Sequence, residues 1–273
     1  MSMKIAINGA GGRMGRAVIA AAETLGGFEI VGGTARAGDS CVGQDLGALA
    51  SIRLLGINVK DEMSCFGGAE AVIDFSAPEG ALEALNAAPA GAAVVTGTTG
   101  LSAEQQKAVE DAAKTRPVVQ AGNFSIGVNL LSALVKMAAS RLPEEWDIEI
   151  EDIHHRRKAD APSGTALMLG RAAAEARGVE LDRHMAVDRH GVRKAGDIGF
   201  SVSRAGGVIG EHTVSFTSDR ERVALSHSAL DRAIFAEGAL HAARWAAGRA
   251  PGLYDMADVL ELRIRGLEPS FTE

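Results

Sequence analysis

Between Glu151 and Leu167 the chain reads EDIHHRRKADAPSGTAL, with His154, His155, Arg156, Arg157 and Lys158 in succession. Histidine exchanges protons near neutral pH and lysine carries one at that pH, so the run offers general acid–base chemistry together with attraction for an anion. The DAPSGTAL that follows is a helix start, with Pro162 and Ser163 before Gly164 and Thr165 as early helical positions. First-turn N–H groups have no intrahelical acceptors and suit a carboxylate, to which the Thr165 hydroxyl adds a donor. On a strand, His154 and His155 would point to opposite faces; at its end both can turn into one cleft. Adjacent histidines without a further Cys, His or acid at ligand spacing make a poor metal site, so no metal is expected. His184, His190, His212, His227 and His241 have no such local company and are read as surface or structural residues.

A second chemical feature lies near the start of the chain. GAGGRMG (Gly9 to Gly15) follows a short β-branched run, Lys4 to Asn8, and leads into an Ala-rich helical segment, Arg13 to Leu25. Glycines at such a turn let the backbone approach a pyrophosphate, which the helix N-terminus then attracts. The spacing is GxxGxxG, because Met14 stands where GxGxxG would place its last glycine. The strand–turn–helix context is what supports a dinucleotide site. At the end of the next strand, FEIVGG, an NAD site would carry an acid for the ribose 2′-hydroxyl. Ala35 occupies that neighbourhood, with Arg36 beside it. A carboxylate would repel a 2′-phosphate, whereas Arg36, with Arg13, would pair with it. The expected cofactor is therefore NADPH, with NADH as the alternative. GTTG (Gly97 to Gly100) and AGNF (Ala121 to Phe124) close two later strands at their carboxyl ends, where doubly wound sheets bind ligands.

These features need a scaffold of two kinds. Apolar runs at AVIDF, AAVVTG and PVVQAG alternate with helical segments, and Ser102 with Gln105 forms a capping-box pattern before one of them. That alternation indicates a Rossmann-type, doubly wound parallel sheet. Residues 37–66 show no clear periodicity. After NFSIG the pattern changes: a helix, then WDIEIEDIHH with acids alternating against Trp146, Ile148 and Ile150, then a second helix from Ser163 to Arg177. Three strands are expected in the stretch from Gly199 to Ala229, joined at Ala205–Gly207 and Ser218–Glu221, followed by a helix from Asp231 to Ala247. The overall class is α/β, with a dinucleotide-binding domain at 1–126 and a C-terminal α+β substrate and oligomerisation domain at 127–239. The tail 240–273 is expected to pack back on the first domain.

The 273 residues carry a net charge of −7, which argues against a nucleic-acid partner. No apolar run reaches membrane-spanning length, and MSMKIAING leads directly into a strand rather than an export signal. Cys41 and Cys65 form no CxxC pair and are read as reduced thiols, consistent with the cytoplasm.

GAGGRMGR, AVIDFSAPEG, VVTGTTG, AGNFSIGVN, EDIHHRRKADAPSGTAL, VIGEHTVSF and GLYDMADVL occur in this order over nearly the whole chain. Together they resemble the 4-hydroxy-tetrahydrodipicolinate reductase family, also called dihydrodipicolinate reductase, of the diaminopimelate route to lysine. The resemblance implies reduction of a small cyclic, imine-containing dicarboxylate by a nicotinamide cofactor in a homotetramer. It implies that Gly9, Ala10, Gly11, Gly12, Arg13 and Met14 hold the pyrophosphate and that Arg36 meets the NADP phosphate. Gly97, Thr98 and Thr99, with Ala121, Gly122, Asn123 and Phe124, would line the nicotinamide. His154 matches the family's proton donor/acceptor and Lys158 its proton donor; His155, Gly164 and Thr165 match its substrate-carboxylate contacts. Arg156 and Arg157 match no role. Two alternatives stand beside this one: a non-enzymatic NADP-binding regulator, and another two-domain dehydrogenase acting on an amino or hydroxy acid.

Overall fold

In the computed structural model, which describes residues 2–187 and 189–263, the chain forms two compact units. One comprises Met1–Ile126 with Ala233–Leu260, and the other is built from Gly127–Arg232. In chain order the first stretch contains β1 (Met3–Asn8), α1 (Arg13–Leu25), β2 (Phe28–Thr34), the short α2 (Leu46–Leu49), β3 (Ala71–Asp74), α3 (Pro78–Ala87), β4 (Ala93–Thr96), α4 (Ala103–Ala113) and β5 (Pro117–Gln120). Next come α5 (Ile126–Arg141), β6 (Asp147–His154), α6 (Gly164–Ala176), α7 (Leu181–His184), β7 (Met185–Val187), β8 (Ile198–Arg204), β9 (Gly210–Thr217) and β10 (Arg222–Ala229). α8 (Ala233–Ala246), β11 (Gly252–Tyr254) and α9 (Met256–Val259) complete the described chain. Among the described residues no helix is long and apolar enough to cross a membrane.

The first sheet has the order β11-β5-β4-β3-β1-β2, and every pairing is parallel. The chain leaves β1 towards β2 on one side and returns to β3 on the other, so the order reverses at β1. That reversal opens a crevice at the carboxyl ends of β1 and β3. Strand periodicity divides the core into two layers. Ile5, Ile7, Ile73, Val95 and Val119 face one layer with α1 and α8, while Ala6, Val72, Val94 and Val118 face the other with α3 and α4. Both faces are covered, which is why these strands read as continuous apolar runs. Residues 233–260 belong to this unit, where α8 lies against α1 and β11 pairs with β5; residues 264–273 of the expected tail lie outside the described residues. Gly238 makes the close approach of α8 feasible, since a Cβ there would stand 1.8 Å from the Phe124 carbonyl oxygen.

Residues 37–66, which carry no periodic pattern, are organised by one side chain. The Asp45 carboxylate accepts from the N–H groups of Gly47, Ala48, Leu55 and Gly56, so a single residue caps α2 and closes the loop beyond it. Such order comes from backbone–carboxylate bonding, which leaves no hydrophobic period to read.

In the second unit the sheet order is β10-β9-β6-β8-β7. The turn at Ala205–Gly207 does not close a hairpin, contrary to expectation: β8 runs parallel to β6, and β9 antiparallel to β6 on its other edge. Turn residues announce a chain reversal, but they do not say which strand the returning chain will pair with. Ser218–Glu221 does join a true hairpin, β9 to β10. One face of this sheet, with Ile148, Ile150, Ile198, Phe200, Val214 and Phe216, packs on Leu131 and Val135 of α5 and Leu169 and Ala173 of α6. The other face is polar and carries exposed Glu151, Ser201 and Ser203.

Candidate active site

At the reversal point of the first sheet, the glycine turn is shaped by close contacts. Gly9 has φ +78°, and a Cβ on it would meet the Phe75 carbonyl oxygen at 2.7 Å. Gly15, rather than position 14, is the glycine that seats the helix on the turn: its Cβ would lie 2.3 Å from the Gly9 carbonyl oxygen. The GxxGxxG spacing therefore does the packing work of the commoner pattern one residue later. Gly12 is the N-cap of α1 and has no side chain to accept from the first turn, so that turn carries no side-chain cap. Gly12 and Arg13 are exposed, and Gly9, Gly11 and Met14 are partly so. Ala10 is fully buried and its N–H is taken by the Thr34 carbonyl, so it supports the turn from beneath. Arg36 is exposed beyond β2. The Cys41 N–H bonds to Asp39 and, with Arg16 and Arg36 nearby, holds that carboxyl below its ordinary pKa. Arg16, which sequence reasoning passed over, donates to the Gly11 carbonyl at 3.0 Å.

The neighbouring loops rest on a buried polar network. Asp74 accepts from Asn8 Nδ2 at 2.8 Å and from the Thr96 and Thr98 hydroxyls, both at 2.7 Å. Asn8 in turn accepts from the Thr34 hydroxyl at 2.7 Å. Thr98 thus spends its hydroxyl inside the protein, while Thr99 is exposed. A Cβ on Gly97 would collide with the Phe75 ring, which itself meets Phe124 edge-on at 5.6 Å. Phe124 is buried, Ala121 and Asn123 are half-buried, and Gly122 is exposed; Asn123 Oδ1 accepts from the Ser125 N–H at 2.8 Å.

In the second unit β6 places Ile148, Ile150, Asp152 and His154 on its buried face. Asp152 is fully buried. Its Oδ2 accepts from the Ser163 N–H at 2.7 Å and from Arg204 at 3.1 Å. Its Oδ1 lies 2.7 Å from His154 Nδ1 and 3.4 Å from His212 Nε2. Burial alone would raise the Asp152 pKa, but the contacts from His212, Ser163 and Arg204 outweigh it and hold the carboxyl well below the usual carboxylate range. Burial drives His154 the opposite way from a free imidazole, down to about 4; His212, Lys158 and Arg204 add to that, while Asp152 opposes it. His154 is therefore neutral at pH 7. Cationic neighbours contribute as the sequence suggests, but desolvation is the larger cause.

Strand register explains this assembly. Asp152 stands opposite His212 on β9, and His154 stands beside Arg204 on β8. His212 is thus a buried member of the cluster, 3.1 Å from the Ser163 hydroxyl and ring-to-edge with His154 at 5.1 Å. Asp152, Arg204 and His212 were missed because their meeting depends on strand order. The one local signal was Asp152 two residues before His154, on the face already marked by Ile148 and Ile150. The ligand atoms of Asp152, His154 and His212 lie within 4.8 Å of one another, a spacing in space that the sequence does not display. Arg204 already supplies the positive charge there.

Gly210 leaves room for the imidazole, since a Cβ would come within 2.9 Å of His154 Nε2. His155 is off the strand and half-buried, and its Nε2 accepts from Arg232 at 3.0 Å. Lys158 pairs with Asp160 at 2.8 Å, whereas Arg156 and Arg157 are exposed. Ser163 caps α6 by accepting from the Ala166 N–H at 3.1 Å, and exposed Gly164 and half-buried Thr165 form the first turn above it. The arrangement combines a neutral imidazole, an ammonium group and a helix N-terminus, groups able to move a proton and to hold a carboxylate beside them.

Two family models match this chain, the N-terminal part of dihydrodipicolinate reductase over residues 3–124 and its C-terminal part over residues 127–260. The chain belongs to the dihydrodipicolinate reductase family. It is 49% identical over 264 residues to the 4-hydroxy-tetrahydrodipicolinate reductase of Parvibaculum lavamentivorans, covering 94% of this chain and 97% of that protein. Against the enzyme of the same name from Caulobacter vibrioides it is 50% identical over 264 residues, with coverage of 94% and 97%. Its fold matches a dipicolinate-bound dihydrodipicolinate reductase from Paenisporosarcina sp. TG-14 with a TM-score of 0.74 at 22% identity, covering 93% of this chain and 98% of that one. An amine dehydrogenase from Mycobacterium smegmatis shares the fold more distantly, with a TM-score of 0.61 at 16% identity. In this reductase-family chain the Asp152 cluster and the HHRRK run fall inside the C-terminal match, and the glycine turn falls inside the N-terminal one.

The His154 pKa has a consequence for stability. Between about 4 and the ordinary 6.5 the unfolded chain binds a proton that the folded protein refuses. Stability from this group is therefore full above pH 6.5 and declines as pH falls towards 4. NMR titration of the His154 Cε1–H should give a midpoint near 4, and a midpoint near 6.5 would contradict the burial described here.

Proposed function

We propose that the protein reduces 4-hydroxy-tetrahydrodipicolinate to tetrahydrodipicolinate with a nicotinamide cofactor, the reduction its relatives are named for, in the diaminopimelate route to lysine that the family resemblance implies. The observation that carries this beyond family membership is the convergence of neutral His154, Lys158 and the α6 N-terminus at one end of β6. A regulator that only bound the dinucleotide would have no use for it. The cofactor, when bound, supplies a hydride. Gly9, Gly11 and Gly12 would approach its pyrophosphate, with the first turn of α1 directed at the phosphates. Thr99, Ala121 and Gly122 are the exposed or half-exposed positions suited to the nicotinamide side, held in place by the Asp74 network and the Phe75–Phe124 pair.

Hydride addition to a conjugated imine leaves an electron-rich, enamine-like ring that must take up a proton. Neutral His154 cannot be the resting acid at pH 7, so Lys158 donates and His154 relays. Gly164 and Thr165 hold one substrate carboxylate; His155, backed by Arg232, meets the other. In an assay that generates the substrate from pyruvate and aspartate semialdehyde and follows NADPH absorbance, the wild type should turn over. His154→Gln and Lys158→Ala should each lower kcat by roughly 10²-fold or more. Wild-type turnover in both variants would refute these roles, and no NADPH oxidation by the wild type would refute the activity.

NADPH is the proposed preferred cofactor, because Ala35 offers no carboxylate to a ribose and Arg36 lies exposed beside it. The same assay run with each cofactor should give the higher kcat/KM for NADPH, and an equal or higher value for NADH would overturn the preference. A cytoplasmic location fits a biosynthetic reductase with two free cysteines. A homotetramer built through the second unit's sheet is proposed from the family resemblance. Sedimentation equilibrium should give four times the protomer mass, and a monomer would exclude it.

A further inference from the structure

We infer that Asp152 is a positioning residue for this reduction, one carboxylate whose two oxygens set the tautomer of His154 and the N-terminus of α6. The inference rests on the activity proposed above and deepens it. Oδ1 faces His154 Nδ1 at 2.7 Å, while Oδ2 takes the N–H of Ser163, the cap of the helix whose first turn holds Gly164 and Thr165. The proton relay and the carboxylate site therefore hang on the same buried anion.

An ionised carboxylate only accepts, so the ring nitrogen facing it must carry the hydrogen. With Nδ1 protonated, the lone pair is left on Nε2, the nitrogen over which Gly210 lacks a side chain. His154 Nδ1 and Asp152 Oδ1 are both buried, and among the described residues neither makes a hydrogen bond to a third group; the 2.7 Å contact between them is closer than the 3.4 Å from the same oxygen to His212 Nε2. An Nδ1–H directed at the ionised oxygen satisfies both atoms, whereas a bare Nδ1 lone pair would face the carboxylate at 2.7 Å. Arg204 reinforces the arrangement by donating to Asp152 Oδ2, to the Asp152 carbonyl at 3.2 Å and to the Asp160 carbonyl at 2.7 Å. That clamps the loop carrying Lys158 to the end of β6. His212, bonded to the Ser163 hydroxyl, closes the ring of contacts between β9 and the α6 cap.

The alternative use of this cluster, as a cation site for Asp152, His154 and His212, is disfavoured by the Arg204 guanidinium 3.1 Å from the same carboxylate. The Asp152 assignment predicts a specific tautomer. In ¹⁵N-labelled wild-type protein at pH 7, His154 should carry its proton on Nδ1; a proton on Nε2 instead would overturn the proposal whatever the variants do. Asp152→Asn keeps the shape but replaces half the carboxylate with a donor. It should lose the Nδ1–H tautomer, lower kcat by about 10-fold or more, and raise KM for the dicarboxylate, while KM for NADPH stays unchanged. A folded Asp152→Asn protein with wild-type tautomer and wild-type kcat and KM would also overturn the role. A purely structural loss would reduce the active fraction without moving the tautomer or separating the two KM values. Asp152→Glu, which restores the carboxylate, should recover part of kcat. If wild-type protein shows the Nδ1–H tautomer but oxidises no NADPH, the activity fails and the geometry stands.

Discussion

The second unit depends on keeping one buried carboxylate satisfied. Asp152 has no exposure to water, and an isolated charge in that position would be untenable. Removing one partner from such a pair typically costs roughly 3–5 kcal/mol, against a net folding stability of about 5–15 kcal/mol for a whole domain. The strands that meet at Asp152 supply what it needs: Arg204 from β8, His212 from β9, and the Ser163 N–H from the start of α6. Each partner comes from a different element, so the elements cannot slide without exposing the charge. Register and helix placement are in this sense electrostatic decisions as much as hydrophobic ones.

The first unit shows the same device in another form. Asp74, also fully buried and itself at the end of β3, gathers Asn8 from the end of β1 and Thr96 and Thr98 from the end of β4 and the loop after it. These residues lie directly under the loops that would meet a dinucleotide, and their hydroxyls and amide are used up inside the protein. Stiff loop ends of this kind let exposed backbone, rather than flexible side chains, approach a ligand. In both units an aspartate at the end of a central strand anchors the loops where chemistry is proposed, and neither aspartate needs to touch the ligand.

How much of this was legible beforehand varies with how local the cause is. The glycine turn could be read because its cause is local: Gly9 needs a positive φ, and Gly15 must meet the Gly9 carbonyl within one helical turn. The parallel sheet could be read because both its faces are buried, which leaves long apolar runs. His154 and Lys158 were visible as residue types. His212 was not recognisable as their neighbour, since a cross-strand register between β6 and β9 is what brings it against Asp152. Arg204 and Gly210 were hidden for the same reason, at the ends of strands that flank β6 on opposite edges.

The fold class, the glycine turn, the helix caps and the residue types able to move a proton could be read from the amino-acid sequence, because each follows from residue spacing along short stretches of chain. The folded arrangement was needed to show which strand lies beside β6, and with that which histidine is buried and neutral, which cation neutralises Asp152, and that Lys158 is held by Asp160. The physical reason is that desolvation and charge pairing act through space: the His154 imidazole has its altered acidity from what surrounds it, and nothing in HHRRK specifies those surroundings.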